Sequence, residues 1–280
     1  MLEKPFITLT TDFGLRDPFA GLLKGVILGI NPRARIIDIT HNIQRHNIFE
    51  ASQVIGMSYR YFPSGTIHVV VVDPGVGGHR RPLLVTTGHH FFIGPDNGVF
   101  SSVYEAAAPD YTVLHLTSSH YFLPMKGSTF HGRDIFAPVA AWLSRGIDYH
   151  KFGDPIEDYS KIPLPRVTLT DKNTLKGTII SIDNFGNAIS NITGDDLAKL
   201  SPEAPPGKFR ITFNNREVPF ADYYAQAQGA GLSAVMNSFG YLELFVYEDS
   251  AAEKFGIKTG DSVVLSLKKR PRGQDAGGRG

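Results

Sequence analysis

The run Ile67-His68-Val69-Val70-Val71-Val72 constrains this chain more than any other stretch, because it packs β-branched aliphatics together without a formal charge. A strand with one wet face alternates apolar and polar residues. A strand without that alternation needs cover on both faces, which is the environment of a parallel strand between two helix layers. The flanking segments supply such layers. Strand-like residues 7–11 and 35–39 alternate with helical patterns at 18–28 and 48–61, the order expected of crossover units. Residues 83–87 and 91–93 add strands, and 132–144 reads as a helix that stops at Arg145-Gly146. The first part of the chain, 1–160, is therefore expected to be an α/β domain built as an α/β/α sandwich.

From residue 153 to 173 the texture changes to Asp154-Pro155, Ile162-Pro163 and Leu164-Pro165 steps, which hold the backbone extended and resist helix. A linker is placed at 161–174. Short strand patterns follow at 176–183, 208–214, 233–238, 241–247 and 261–267, divided by Gly, Asn and Pro turns. They predict a C-terminal β-barrel domain over 175–268. The basic, glycine-rich residues 269–280 have almost nothing to bury and are expected to be a disordered tail. A length of 280 residues suits two domains.

Composition narrows the function classes. A net charge of +1 supplies no field for gathering phosphates, so nucleic acid is not the expected partner and a small molecule is. The absence of cysteine removes disulfides, thiolate nucleophiles and cysteine metal sites, and fits the cytoplasm. The start of the sequence reads as strand without a signal-peptide core, and no apolar run reaches about 18 residues, so neither secretion nor membrane insertion is expected.

Four segments place polar residues where strands end, the edge at which open α/β sheets bind ligands. In Thr11-Asp12-Phe13-Gly14-Leu15-Arg16-Asp17, a carboxylate past a buried strand can accept from a ribose diol and a second can hold an ammonium group. Alternatively, Asp12 and Asp17 cap the helix near Pro18. In Asp73-Pro74-Gly75-Val76-Gly77-Gly78-His79-Arg80-Arg81, a glycine turn returns a guanidinium toward a strand-end carboxylate, as a working pair or as a structural one. No Walker lysine follows, so a phosphate loop is a poor fit. The segment Ser128-Thr129-Phe130-His131-Gly132 brings a histidine to a helix start, where it is a base, an orienting donor or a plain cap-region residue. The fourth set is Asp183 to Asn187, Phe220, Ser238 and Glu243. There Asn187 offers an adenine edge both a donor and an acceptor and Phe220 or Phe185 offers a stacking face, against a simple hairpin turn. No histidines have metal-ligand spacing; the His89-His90 pair reads as structural or superficial.

Taken together, these segments make the chain resemble the S-adenosylmethionine hydroxide adenosyltransferases, relatives of the bacterial fluorinase and chlorinase, from residue 7 to about 267. The resemblance implies an N-terminal seven-stranded α/β domain joined to a C-terminal β-barrel. It also implies a homotrimer, with substrate between one subunit's N-terminal domain and its neighbour's C-terminal domain. Asp73, Arg80 and His131 fall on the family's water-activating triad. Asp12 falls on the position that holds the ribose hydroxyls, and Asp17, Asp183 and Ser238 on positions around the methionine moiety. Asn187 and Phe220 fall on the adenine pocket, with Phe130 and Glu243 also among substrate-binding positions. Motif spacing favours Arg80 over Arg81. The match fades at Tyr247-Glu248-Asp249, where relatives carry an asparagine-containing turn. The implied reaction is hydrolysis of S-adenosylmethionine to adenosine and methionine, with no cofactor and no metal. A halogenase, a non-catalytic adenosyl-ligand binder and, more distantly, a dinucleotide oxidoreductase are the rival readings. The halogenases lack the Asp–Arg–His set and carry serine where Gly132 stands.

Overall fold

The computed structural model describes residues 6–124, 127–202 and 206–268; the tail at 269–280 lies outside the described residues. The chain divides into two compact units, Met1–Leu164 and Pro165–Gly280. The first runs β1 (Phe6–Thr11), α1 (Phe19–Ile30), β2 (Arg35–Thr40), α2 (Ile48–Ser58), β3 (Ile67–Val71), β4 (Pro82–Thr86), β5 (Phe91–Pro95), α3 (Ser101–Ala107), β6 (Thr112–Leu116), α4 (Ala137–Ser144) and β7 (Gly153–Pro155). These strands form one sheet in the order β2-β1-β3-β5-β4-β6-β7.

The valine run explains the layering. All five residues of β3 are buried, and β3 pairs in parallel with both β1 and β5. Because side chains alternate across a strand, Ile67, Val69 and Val71 pack with Leu23 and Ile27 of α1 and with α4. Val70 and Val72 pack instead with Ile55 of α2 and Val103 of α3. The result is the expected α/β/α sandwich. It is parallel only from β2 to β5; β4, β6 and β7 join antiparallel. The four residues between β4 and β5, closed by Thr87 N–H to His90 O at 3.1 Å, are too few for a crossover and enforce a hairpin.

The helix expected over 132–144 begins differently. Gly132–Phe136 is a π-turn, and regular α-helix starts only at Ala137. Wide turns of this kind are frequent beside functional sites, where they re-aim the chain.

The second unit runs β8 (Thr168–Asp171), β9 (Thr174–Ile182), β10 (Ala188–Thr193), α5 (Gly194–Leu200), β11 (Phe209–Phe213), β12 (Arg216–Val218), β13 (Ser233–Met236), β14 (Tyr241–Phe245), α6 (Ala251–Phe255) and β15 (Ser262–Leu267). Its antiparallel sheet follows the order β12-β11-β15-β9-β10-β14-β13, with β8 also on β9. The chain past β12 then meets β13. Ala234 donates to Pro219 O and accepts from Ala221 N–H, both at 2.8 Å, so the two ends join into the expected barrel. The stretch 161–174 expected as linker contains β8, because Asp171 accepts from Asn173 N–H at 2.8 Å and folds the chain back onto β9.

His68 is the polar exception in the valine run. It is fully buried, 2.7 Å from Thr8 Oγ1 through Nδ1, and stacked on Phe92 with ring centroids 5.1 Å apart. Burial, then the neighbouring His90, pushes its pKa from 6.5 down to about 3. A depressed histidine contributes stability fully present above about 6.5 and lost progressively as pH falls toward about 3. Denaturant unfolding between pH 6.5 and 4.5 should therefore lose about 2 kcal/mol less in His68→Gln than in the parent chain. Equal acid sensitivity would show that His68 does not carry this cost.

Candidate active site

β1 and β3 are parallel neighbours, so their carboxyl ends lie side by side and deliver Asp12 and Asp73 to the same edge. Between them and the segment leading into α4 is a cavity of about 320 Å³. Asp12, Asp17, Asp73, Phe130 and His131 all line it, so the N-terminal candidates apart from Arg80 share one wall.

Arg80 joins two of them. Two successive tight turns, Val76 N–H to Asp73 O at 3.2 Å and Gly78 N–H to Gly75 O at 3.0 Å, bring the chain back on itself. Arg80 then grips Asp73 bidentately, with Nε donating to Oδ1 at 2.9 Å and Nη2 to Oδ2. Nη2 also donates to His131 Nδ1 at 2.8 Å. Both ion-paired side chains are nearly buried, at 8% and 5% exposure, which excludes the weak solvent-exposed pair as a description. Arg81 points elsewhere, to Asp96 at 2.9 Å and Asp158 at 2.8 Å, so of the two arginines it is Arg80 that meets Asp73.

The contact also fixes a tautomer. A guanidinium can only donate, so Nδ1 of neutral His131 is the acceptor and its proton resides on Nε2. Burial, then the Arg80 charge, holds this imidazole below its ordinary 6.5, against the opposite pull of Asp73 and Asp134. Gly77 makes the arrangement possible. It has φ of +76°, and a Cβ there would lie 2.5 Å from the Ser128 carbonyl oxygen, so only glycine lets the Asp73–Arg80 loop pack against the segment before His131.

The capping alternative for Asp12 and Asp17 does not hold, since Pro18 is the N-cap of α1 and no side chain caps the helix. Asp12 Oδ2 instead accepts from His46 N–H at 2.9 Å. Asp17 is exposed at the cavity mouth. Phe13, Phe19 and Phe130 meet edge to face, with centroids 5.3 to 5.8 Å apart, and make the apolar side of the wall.

In the barrel unit a separate cavity of about 710 Å³ is lined by Asp183, Phe185, Asn187, Tyr224 and residues 246–250. Asp183 is both cavity wall and turn-former: Oδ1 accepts from Phe185 and Asn187 N–H at 2.9 and 2.8 Å, and Oδ2 from the Asn187 amide at 3.2 Å. The turn reading therefore holds at residues that also line a cavity. Gly186 within that turn sits at φ +82° against Ser250, with no space for a side chain. Phe220, Ser238 and Glu243 are not brought to this wall. Phe220 is half-buried against the barrel core and Ser238 is exposed in a turn. Glu243 is buried, accepting from Tyr224 Oη at 2.8 Å and Asn237 Nδ2 at 3.0 Å, and burial raises its carboxyl above the ordinary range despite those bonds.

Arg45, His46, Phe19, Thr129, Tyr224 and Ser250 line the two cavities and were not singled out from sequence. The adjacency of Thr129 to the histidine was the only local signal for any of them. Among the described residues, no group of three or more His, Asp or Glu could hold a metal ion, and no helix is long and apolar enough to cross a membrane.

Residues 7–153 match the SAM hydroxide adenosyltransferase N-terminal domain, and 177–264 match the C-terminal domain of the same description. A Salinispora arenicola protein named (R)-S-adenosyl-L-methionine hydrolase is 31% identical over 95% of this chain and 99% of its own. A Nocardia brasiliensis fluorinase is 28% identical over 95% and 98%. The crystal structure of an uncharacterized conserved protein from Thermotoga maritima covers 93% of this chain and 100% of its own at 32% identity, with a TM-score of 0.85.

The Arg80 contact has a direct readout. Histidine-selective NMR should find His131 titrating below 6.5, and Arg80→Gln should move that midpoint upward, because the positive neighbour leaves while Asp73 stays. A midpoint that stays put or falls would mean that Arg80 does not set the imidazole's charge state.

Proposed function

The chain belongs to the SAM hydroxide adenosyltransferase family, and from that premise we propose that it hydrolyses S-adenosyl-L-methionine to adenosine and L-methionine. The observation that carries the reading is the Asp73–Arg80–His131 set at the cavity between β1 and β3, the feature suited to handling a water molecule. The reaction forms a bond from water oxygen to C5′ of the ribose as the C5′–sulfur bond breaks. Methionine leaves as a neutral thioether, so the leaving group needs no acid. The nucleophile is the difficulty, and orientation with partial deprotonation is what the protein adds.

Asp73 accepts the water proton, and His131, protonated at Nε2, donates to the water oxygen and aims it in line. Arg80 acts through both: it balances the Asp73 charge and holds His131 in the donating tautomer. Asp12 takes the ribose hydroxyls and Asp17 the methionine ammonium, with Phe130 beside the sugar. Gly132 offers no hydroxyl to replace the hydration shell of a halide, so water outcompetes halide at this position. No metal or redox cofactor enters the scheme. We assign the remaining contacts to a neighbouring copy in a homotrimer, with Asn187 and Phe220 on adenine and Asp183, Ser238 and Glu243 around the amino-acid end. The family resemblance supports that assembly. The name of the Salinispora relative specifies the R sulfonium epimer, and we carry that preference over to this chain.

Incubation with mixed sulfonium epimers in 18O-labelled water, with chelator present, should give equal adenosine and methionine, label in the 5′ hydroxyl, and faster loss of the R epimer. Methylthioadenosine, free adenine or dependence on added divalent ions would refute the scheme.

Asp73→Asn removes a charge and keeps the shape, so kcat should fall by about a hundredfold or more while substrate affinity stays within a few-fold. Adding His131→Ala should cost less than the product of the single effects, since both act on one water. Chloride should not restore turnover through a halogenated nucleoside. Wild-type kcat in Asp73→Asn would return the Asp73–Arg80 pair to a purely structural role.

A further inference from the structure

His41, just past β2, is 3% exposed and does not line the cavity, yet it joins two turns that do. Its Nδ1 lies 2.8 Å from Thr11 Oγ1, and its Nε2 lies 3.1 Å from Asp38 Oδ1. Asp38 is held in turn by Lys24 of α1 at 2.5 Å. Three backbone N–H groups add bonds to the same two residues, His41 and Thr11. Gly14 N–H donates to His41 O at 2.7 Å, Ile43 N–H to Thr11 O at 3.3 Å, and Phe13 N–H to Thr11 Oγ1 at 3.2 Å. Residues 11–14 and 41–46 are thereby stitched into one piece, and at its far end His46 N–H takes one oxygen of Asp12. His46 is in the left-handed region at φ 66°, so the direction of that N–H depends on the whole loop being held.

We propose that His41 is a positioning residue for Asp12, acting through Thr11 and the 41–46 loop, with Asp38 as its outer anchor. The inference rests on the reading above that Asp12 holds the ribose hydroxyls. A buried imidazole loses its hydration, which an aliphatic side chain of similar size would not. Its Nδ1 contact with Thr11, at the end of β1 that carries Asp12, supplies directional control that such a replacement lacks, while its Nε2 faces the Asp38 carboxylate at ion-pair distance without a formed hydrogen bond. With Asp12 Oδ2 occupied by a backbone donor, Oδ1 is left toward the ligand, and its angle is set by where the 41–46 loop sits.

Calorimetric binding of adenosine and of 2′,3′-dideoxyadenosine to the intact protein tests this. The parent chain should prefer adenosine, and Asp12→Ala should abolish the preference. His41→Phe should weaken adenosine about tenfold and leave the dideoxynucleoside within about twofold, the size of one lost charged hydrogen bond. His41→Asn, which can still meet Thr11, should recover most of the loss. Asp38→Ala, at a partly exposed site that folding tolerates, should weaken adenosine alone by about threefold. Equal weakening of both nucleosides in the His41 and Asp38 variants overturns the inference, as the signature of a merely structural role. So does wild-type binding in Asp38→Ala, whether or not His41→Phe folds. A parent chain indifferent to the diol removes the Asp12 reading and the inference with it. Loss of preference in Asp12→Ala alone removes only the inference.

Discussion

One guanidinium organises the candidate site. Arg80 spends Nε and Nη2 on Asp73 and shares Nη2 with His131, and by donating to both it decides which of them can accept a proton. A neutral histidine whose Nδ1 is already an acceptor has its hydrogen on the other nitrogen. The carboxylate is then the remaining acceptor facing the cavity. Division of labour between the two groups follows from hydrogen-bond valence, before any question of acidity arises. Lysine could not substitute, because a point charge with freely rotating donors fixes neither the carboxylate plane nor the imidazole.

That geometry is expensive in backbone terms. The strand end that carries Asp73 is buried on both faces, and the return to Arg80 needs two tight turns and a left-handed glycine pressed against the Ser128 carbonyl. The π-turn at Gly132–Phe136 then re-aims the chain after His131 before α4 becomes regular. Each irregularity lies within a few residues of a cavity-lining side chain. The helix α5, which lines neither cavity, follows ordinary capping, with Thr193 and Asp196 bonded reciprocally.

Much of this was legible in the sequence because it is local. The valine run announces a doubly covered strand, and a carboxylate followed by glycines and an arginine announces a returning turn. The choice of Arg80 over Arg81 rested on motif spacing alone, and that Arg81 bonds to Asp96 and Asp158 depends on residues far along the chain. What was not legible depends on tertiary proximity. Arg45 and His46 reach the cavity on a loop that residues 11–14 hold by several contacts, and no period or motif marks them. β6 and β7 have three to five residues each, below the length at which alternation is readable, and β8 hid in a proline-rich stretch. Glu243 shows a second limit of the same kind. Its place in a strand beside candidate binding residues was legible, but the donation to its two oxygens by Tyr224 and Asn237 was not.

The closing of the barrel has a bearing on how this chain behaves in a crowded solution. Main-chain bonds through Ala234 join the two ends of the barrel's strand path, so among the described residues its free edge is reduced to β8, four residues paired on one side to β9. The seven-stranded sheet is open, and its two margins are defended differently. β7 is only Gly153–Pro155 and ends in a residue with no N–H, while β2 displays Arg35 and Asp38 and has Lys24 held alongside. A short strand closed by proline and a charged one are both poor templates for intermolecular pairing. Asp38 thus stands in two places at once, beside the buried His41 and on the charged outer edge of the sheet.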